Sequence, residues 1–449
     1  MPAPTDTGDF SRRAYALLTS DDEGRLCRDI PDAACAEQPG NFVRHVLSLA
    51  ASKTADGLAD TKLVLAWLLG ALGAPGWMLG LIVPIREAGS LLPQLAIAAA
   101  IRARPRRKFV WALGATLQGA ALLGMAAAAT WLAPEDAAIA ILGLLALGAL
   151  ARGACSVSYK DVLGKTIAKS TRGTATGTAG STAALLVLGF GVALASGVIP
   201  RQTGPICAVL AAAGLLMIAA SALFLSLEEV AGATEGGASS LRRVREQWQQ
   251  LRSDRQLQRF IATRALLTAT ALSPPFLLAA TADRGASATG TLGPFVMASA
   301  LATILSAYVW GRLADRSSRQ VLIRAAGIGA LALGTGGALA LTGDALSDPL
   351  LSSCLLFVLV VAHQGVRLGR STHVTDMADS ERRANYTALS NSAIGLVLVA
   401  GSGFGMLADA FGHGVLLLVF GAMCVAGIGL ARGLEEVQNP ARDMPRQPA

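Results

Sequence analysis

The sequence predicts an all-α polytopic membrane protein, with twelve transmembrane helices in two pseudo-symmetric six-helix bundles. Three observations predict this fold: an apolar composition, twelve long apolar runs, and basic residues concentrated in alternate loops. Of the 449 residues, 53% are hydrophobic and only 15% are charged. Soluble domains carry about 25% charged residues. The chain has too few polar groups to cover itself in water, so we expect it in a bilayer.

The twelve spans follow from segment length, because a helix that crosses the hydrocarbon core needs about 20 mostly apolar residues. Charged residues interrupt the first span, namely Lys53, Asp56, Asp60 and Lys62. The predicted spans are 43–72, 76–101, 109–132, 136–158, 173–197, 204–226, 260–282, 289–312, 320–342, 349–369, 384–408 and 413–433.

Lysines and arginines mark one set of alternate loops, which the positive-inside rule assigns to the cytoplasm. The opposite loops hold little beyond Arg201 and Arg284. Both termini then lie inside, as an even number of spans requires. Residues 1–41 contain no apolar signal-peptide region. We therefore expect a multi-pass protein of the cell inner membrane. The basic clusters lie at 102–108, 160–172, 242–259, 312–324 and 370–383.

A polar central loop separates the two sets of spans. Leu241, Val244, Trp248 and Leu251 recur there at three- and four-residue spacing between basic residues. This spacing predicts an amphipathic helix on the inner leaflet, with a soluble docking helix as the alternative. The net charge of +8 is spread along one membrane face, which favours lipid over nucleic acid as a partner. The predicted parts are a cytoplasmic segment (1–41), an N-terminal bundle (42–226), the central loop (227–259), a C-terminal bundle (260–433) and a cytoplasmic tail (434–449).

Two predicted inner loops occupy matching positions about 211 residues apart, which indicates a weak parallel repeat. The first, at 100–108, is a basic cluster without glycine or aspartate. The second reads Gly311-Arg312-Leu313-Ala314-Asp315-Arg316-Ser317-Ser318-Arg319-Gln320. It resembles the signature loop of the major facilitator superfamily, Gly-x-Leu-Ala-Asp-Arg-x-Gly-Arg-Arg/Lys. The resemblance covers about residues 42–433.

The resemblance implies two bundles around a central cavity that moves by alternating access. It also implies that Asp315 faces a helix N-terminus near Gly173 and Thr174, where an anion is favoured. It further pairs Arg319 with Asp376 and Arg107 with Asp161. The alternative is that these residues are simple positive-inside charges without a gating role, the first-half pair included. The predicted gating set is Gly311, Asp315, Arg316, Arg319, Asp376, Arg107 and Asp161.

Ionisable residues inside spans are functional candidates, because each costs about 2.5–3.5 kcal/mol on insertion scales. Asp60, Lys62, Arg86 and Glu87 lie roughly 15–18 Å from the outer ends of their spans at a 1.5 Å rise per residue. That depth is near the midplane of a core ~30 Å thick. Asp56 lies deeper toward the cytoplasm, four residues from Asp60, so one continuous helix places both carboxylates on one face.

We expect Glu87 and Asp60 to form the proton-linked pair, with Arg86 or Lys62 as a partner. A carboxylate poised between like and opposite charges suits proton coupling. A buried ion-pair network that only fixes the first two helices is one alternative. Another is that span one begins later and that Lys53 and Asp56 are interfacial.

His363 is the candidate of the C-terminal half, roughly 21 Å from the outer end of span ten at the same rise. A lone histidine in a helix is more often a hydrogen-bonded packing residue. The resemblance nevertheless places span ten at the cavity, with Gln364 and Arg367. Arg152 in span four is the comparable basic residue of the first half. Together these residues are candidates to bind an anionic group.

The sequence thus predicts a secondary active transporter of a small solute, coupled to protons by symport or antiport. No phosphate-binding glycine loop and no nucleophile or metal-ligand spacing occurs, so we expect neither an enzyme nor a cofactor. A passive uniporter is one alternative. A membrane sensor or assembly protein that has lost transport on the same fold is another.

Overall fold

A computed structural model describes residues 6–19, 32–94, 97, 101, 104–200, 202–231, 254–283, 288–377 and 383–438. In these ranges the chain forms helices and no strand. The helices are α1 (Asp6–Leu18), α2 (Asp32–Ala36), α3 (Gln38–Leu58), a π-helix (Thr61–Leu65), α4 (Ala66–Ala71), α5 (Gly76–Leu91), α6 (Lys108–Trp131), α7 (Pro134–Thr166), α8 (Lys169–Ala195), α9 (Thr203–Leu225), α10 (Arg255–Leu267), α11 (Ala269–Asp283), α12 (Ala288–Arg316), α13 (Ser318–Thr342), a 3-10 turn (Ala345–Ser347), α14 (Pro349–Met377), α15 (Arg383–Ala400), a 3-10 turn (Gly401–Gly403), α16 (Phe404–Phe411) and α17 (His413–Arg432).

Ten helical segments within the described ranges are long and apolar enough to cross a membrane. They correspond to the third to twelfth predicted spans, and they confirm the predicted all-helical membrane fold. The segments are Lys108–Trp131, Pro134–Thr166, Ser170–Ala195, Thr203–Leu225, Arg255–Ala282, Gly290–Arg316, Ser318–Thr342, Pro349–Met377, Tyr386–Phe411 and His413–Arg432.

The first two predicted spans are irregular near their charged residues. In the first, α3 ends at Leu58, and the chain resumes at Thr61 as a π-helix before α4. In the second, α5 contains Pro84, which has no N–H for the helical hydrogen bond to Gly80. Part of the predicted end of this span, and the predicted amphipathic helix at 241–251, lie outside the described residues.

The chain forms two compact units. The first comprises Met1–Asp60, Ile85–Gly189 and Gln202–Ser240, and the second comprises Thr61–Pro84, Phe190–Arg201 and Leu241–Ala449. The second unit thus includes two short segments from the first half of the sequence. The predicted bundles at 42–226 and 260–433 stay a prediction.

Paired glycines bring helices close together in both units. In the first unit, a Cβ at Gly119 of α6 would lie 2.6 Å from the carbonyl oxygen of Gly214 in α9. In the second unit, a Cβ at Gly337 of α13 would lie 2.8 Å from the carbonyl oxygen of Gly414 in α17. Small residues of this kind let membrane helices pack at backbone distance.

The N-terminal helix α1 packs within the first unit. The Tyr15 ring meets Phe42 edge-on at 5.2 Å between centroids, and its hydroxyl accepts a 2.7 Å hydrogen bond from Gln38 Nε2. Gln38 Oε1 in turn accepts from the Ala168 backbone N–H at 3.3 Å. These contacts tie the N-terminal segment to the corner between α7 and α8.

Candidate functional site

A carboxylate bound by two arginines forms the central charged cluster of the first unit. Arg86 Nη2 donates to Asp56 Oδ1 at 2.8 Å, and Arg152 Nη1 donates to Asp56 Oδ2. The three side chains come from α5, α3 and α7. They are partly accessible, with 25% of Asp56, 19% of Arg86 and 40% of Arg152 exposed. Residues from predicted spans one, two and four therefore meet at one ionic site.

Glu87 belongs to the same cluster. Its charge attracts both the Arg86 and the Arg152 guanidinium groups. The two carboxylates and the two guanidinium groups together carry no net charge when all are ionised. A single proton added to this set would leave it with one positive charge.

Asp60 lies outside the helix that carries Asp56, so the expectation that both carboxylates share a helix face is wrong. The helix ends at Leu58, and the Asp60 N–H bonds to the Gly57 carbonyl at 3.3 Å instead of continuing the i to i−4 pattern. Arg86, expected as a partner of the Glu87–Asp60 pair, hydrogen-bonds to Asp56. Asp60 therefore lies between two helical segments, after α3 and before the π-helix that begins at Thr61.

A lysine and a histidine meet in the second unit. Lys62 Nζ lies 3.2 Å from His363 Nε2, and His363 Nδ1 lies 3.2 Å from Thr270 Oγ1. An ammonium group only donates hydrogen bonds, so Nε2 accepts when Lys62 is charged. Nδ1 then carries the proton and donates to Thr270, whose hydroxyl donates to the Leu267 carbonyl at 2.9 Å. The pair therefore holds a single positive charge in this arrangement.

Further cations lie along α14 on the His363 side. Arg367 and Arg370 follow His363 by four and seven residues, which places them on one helix face. Both repel a positive charge on His363. Arg367 is exposed, and the neighbouring Gln364 donates to Thr303 Oγ1 at 3.0 Å. The C-terminal candidates thus lie in a basic environment.

Arg264 of α10 is a buried cation that the sequence reasoning missed. Only 6% of the residue is exposed. Its Nη1 donates to Ser390 Oγ, and its Nη2 donates to Asn391 Oδ1 at 3.3 Å. The signal was present in the sequence, because an arginine inside a predicted span is a functional candidate by default.

The first-half gating pair is in contact. Arg107 Nη1 pairs with Asp161, and Lys165 Nζ reaches the other oxygen of Asp161 at 2.7 Å. The fully buried Glu229 adds to this site by accepting the backbone N–H groups of Arg107 and Lys108 at 3.0 and 2.8 Å. Glu229 follows α9 and caps the start of α6, which the sequence pattern did not indicate.

The prediction that Arg319 and Asp376 form a direct ion pair is wrong. Arg319 Nε lies 3.3 Å from Glu436 Oε2, whereas Asp376 accepts from Gln438 Nε2 at 2.8 Å. Residues that follow α17 thus bind both members. The remaining gating candidates, Gly311, Asp315 and Arg316, lie in the last turns of α12, where Asp315 and Arg316 are exposed.

Large apolar side chains cover the outer faces of the long helices, while the charged clusters lie between helices. The exposed fraction is 63% for Leu185, 60% for Leu215, 72% for Leu331 and 62% for Leu396. Apolar surface of this extent suits lipid and not water. Ionisable groups inside such helices mark solute and ion pathways. The described helices thus form a multi-pass membrane protein, with the charged clusters as candidate solute or ion sites.

A sequence model of the Major Facilitator Superfamily matches residues 61–402. The chain belongs to this superfamily, and the resemblance of its signature loop is confirmed. No curated protein matches the chain in sequence.

Solved structures of transporters share the fold. A mutant of the nucleoside transporter NupG is 13% identical, with 87% of this chain and 99% of that chain covered and a TM-score of 0.67. A POT family transporter in complex with a thioalcohol conjugated peptide is 9% identical, with 90% and 98% covered and a TM-score of 0.67. The D-xylose-proton symporter is 14% identical, with 88% and 98% covered and a TM-score of 0.65. At these identities the likeness shows the fold alone.

Proposed function

We propose that this transporter moves a small solute by alternating access and couples that movement to protons, as a symporter or an antiporter. The observation that carries the proposal is the cluster of Asp56, Arg86, Arg152 and Glu87 on predicted membrane spans. Placing four charged side chains in membrane spans costs free energy. A site that binds and releases protons requires such charges.

Within this cluster, we assign Asp56 as the fixed counter-ion and Glu87 as the proton carrier. Asp56 has a guanidinium group on each of its oxygens. Glu87 supplies the second negative charge, on which the neutrality of the set depends. Proton binding drives transport only if it favours one conformation over the other. A change from a neutral to a positive cluster provides that difference.

The interrupted first span supports the same assignment. Asp56 and Asp60 flank the end of α3, and a π-helix follows directly. π-helical turns occur frequently at functional sites, and discontinuous membrane helices commonly form transporter binding sites. Asp60 is therefore kept as the second proton-linked candidate.

The predicted inner-membrane location with both termini in the cytoplasm is part of this proposal.

The test is solute-dependent proton flux into proteoliposomes that contain a pH-sensitive dye. The first solutes to use are nucleosides, D-xylose and a thioalcohol-conjugated peptide, which are named for the similar structures. We expect a pH gradient to drive solute accumulation. Solute flux that does not depend on the pH gradient would identify a passive facilitator. The absence of any flux would favour a sensor or assembly protein.

Glu87→Gln is predicted to abolish accumulation driven by the pH gradient and to spare solute exchange, because the glutamine cannot carry the proton. Asp60→Asn is predicted to act in the same way. Glu135→Gln, an exposed carboxylate in the first turn of α7, is the matched control and should behave as the wild type. Gradient-driven accumulation that persists in both Glu87→Gln and Asp60→Asn would exclude these two residues as carriers.

A further inference from the structure

Arg264 is a buried guanidinium group whose described partners are all uncharged. Its hydrogen bonds go to the hydroxyl of Ser390 and the side-chain amide of Asn391, and no carboxylate among the described residues pairs with it. Its Nε is buried and has no acceptor. A buried cation with no anion is costly, so this side chain lacks the counter-charge that its environment calls for.

The charged groups around Arg264 add to this deficit. The charge that acts on it is that of Arg370, which has the same sign. Arg370 in turn lies on the α14 face that carries His363 and Arg367, and Lys62 donates to His363. Basic groups from the π-helix, α10 and α14 thus influence one another within the second unit.

We infer that the second unit binds an oxyanion of the transported solute, a carboxylate or a phosphate group, with Arg264 as its anchor. The inference rests on the proposed function in that the ligand is the transported solute. An oxyanion supplies the missing counter-charge and the missing acceptor together. A guanidinium group matches the geometry of carboxylate and phosphate oxygens.

Arg264 has a donor available for such a ligand. Nη1 and Nη2 are engaged by Ser390 and Asn391, which fix the plane of the guanidinium group, and the Nε–H is left for an oxyanion. Arg367, which is exposed on α14, adds an accessible cation to the helix that carries Arg370. A purely structural role, in which Arg264 only ties α10 to α15, makes no use of the unpaired donor.

The first experiment measures thermal unfolding of the purified full-length protein in the presence of inorganic phosphate, succinate, glucose 6-phosphate and glucose at equal ionic strength. We expect at least one oxyanion, and not glucose, to raise the Tm by several degrees. The phosphate and succinate arms distinguish the two kinds of oxyanion. Stabilisation by glucose alone, or by none of the three anions, would overturn the inference.

Arg264→Gln should weaken binding of the stabilising anion about 10–100-fold, the loss expected for a hydrogen bond to a charged group. Arg259→Gln is the matched control, because Arg259 lies on the same helix but is exposed and donates to the Gly433 carbonyl. The control should keep the full response. An unchanged affinity in Arg264→Gln would overturn the assignment of the anchor.

Asn391→Asp tests the charge deficit without removing the arginine, so it stays informative if Arg264→Gln fails to fold. The new carboxylate would lie at the position of an oxygen that is already 3.3 Å from Nη2. We expect a higher Tm in the absence of anions and a loss of the response to them. A lower Tm, or a rise in Tm with anions that is retained, would overturn the inference that Arg264 needs a counter-charge from the ligand.

The outcomes separate this inference from the proposed function. Anion binding that depends on Arg264 without any proton flux would leave the oxyanion site intact and remove proton coupling. Proton-coupled flux of a neutral solute, with no change in Tm on adding anions, would support proton coupling and remove the oxyanion site.

Discussion

Asp56 receives hydrogen bonds from two arginines, and the stability it provides depends on how far water reaches these side chains. Breaking a fully buried ion pair by removing one partner costs about 3–5 kcal/mol. An exposed pair contributes about 0–1 kcal/mol. Because 40% of the Arg152 side chain and 25% of the Asp56 side chain are exposed, the value for this cluster lies between these limits.

Asp56→Asn is predicted to lower the free energy of unfolding by about 1–3 kcal/mol, because it leaves Arg86 and Arg152 without their shared counter-charge. Arg152→Gln should cost less, since Arg86 keeps its partner. The measurement is denaturation of the purified variants in detergent.

The double variant Asp56→Asn with Arg152→Gln should be less destabilised than the sum of the two single variants, as expected for residues in contact. Additive losses would show that Asp56 and Arg152 do not interact energetically.

Glycine pairs set the spacing of helices at the scale of the element. α6 and α9 meet at Gly119 and Gly214, and α13 and α17 meet at Gly337 and Gly414. The two units therefore use the same kind of contact between their third and sixth predicted spans. At Gly119, Gly214 and Gly337 the nearest atom is a backbone carbonyl oxygen, which cannot move aside as a flexible side chain can.

Gly119→Ala is predicted to destabilise the fold by about 1–3 kcal/mol, the usual cost of overpacking a tight contact. Its Cβ would lie 2.6 Å from the Gly214 oxygen, so α6 and α9 must separate. Gly143→Ala in α7 is the control, because no atom lies within 4 Å of its added Cβ. That variant should be as stable as the wild type or gain up to about 1 kcal/mol from helix propensity. Equal stability of the two variants in thermal unfolding would contradict the packing argument.

At the scale of the whole molecule, the proposed function makes transport a matter of conformational exchange between two states. The signature loop at 311–320 lies at the end of α12 and the start of α13. Glu436 and Gln438, which follow α17, bind Arg319 and Asp376 of the second-half gating set. The gating role of Asp315 stays a prediction from the resemblance.

Asp315→Asn is predicted to slow transport and to spare expression, because the predicted attraction of its carboxylate to a helix N-terminus is lost. The assay is the initial rate of solute uptake into proteoliposomes, normalised to the amount of inserted protein. Asp136→Asn, an exposed carboxylate in the first turn of α7, serves as the control. A wild-type rate in Asp315→Asn would remove the residue from the gate.

The sequence by itself determined the fold class, ten of the spans and the family. The fold class and the spans depend on properties summed along the chain, namely the length of apolar runs and the position of basic loops. The family depends on one short motif, at 311–320. The sequence also identified Asp56, Arg86, Glu87 and Arg152 as site candidates, because a charge within an apolar run is visible in the local sequence.

Only the tertiary structure decided which of these charges meet. It paired Arg86 with Asp56, placed Lys62 on His363, and separated Arg319 from Asp376. It also showed that Arg264 is buried without a described carboxylate. A hydrogen bond depends on ångström-scale positions of side chains from helices far apart in sequence. Hydrophobic periodicity carries no information on those positions, and the helix end at Leu58 changed them further.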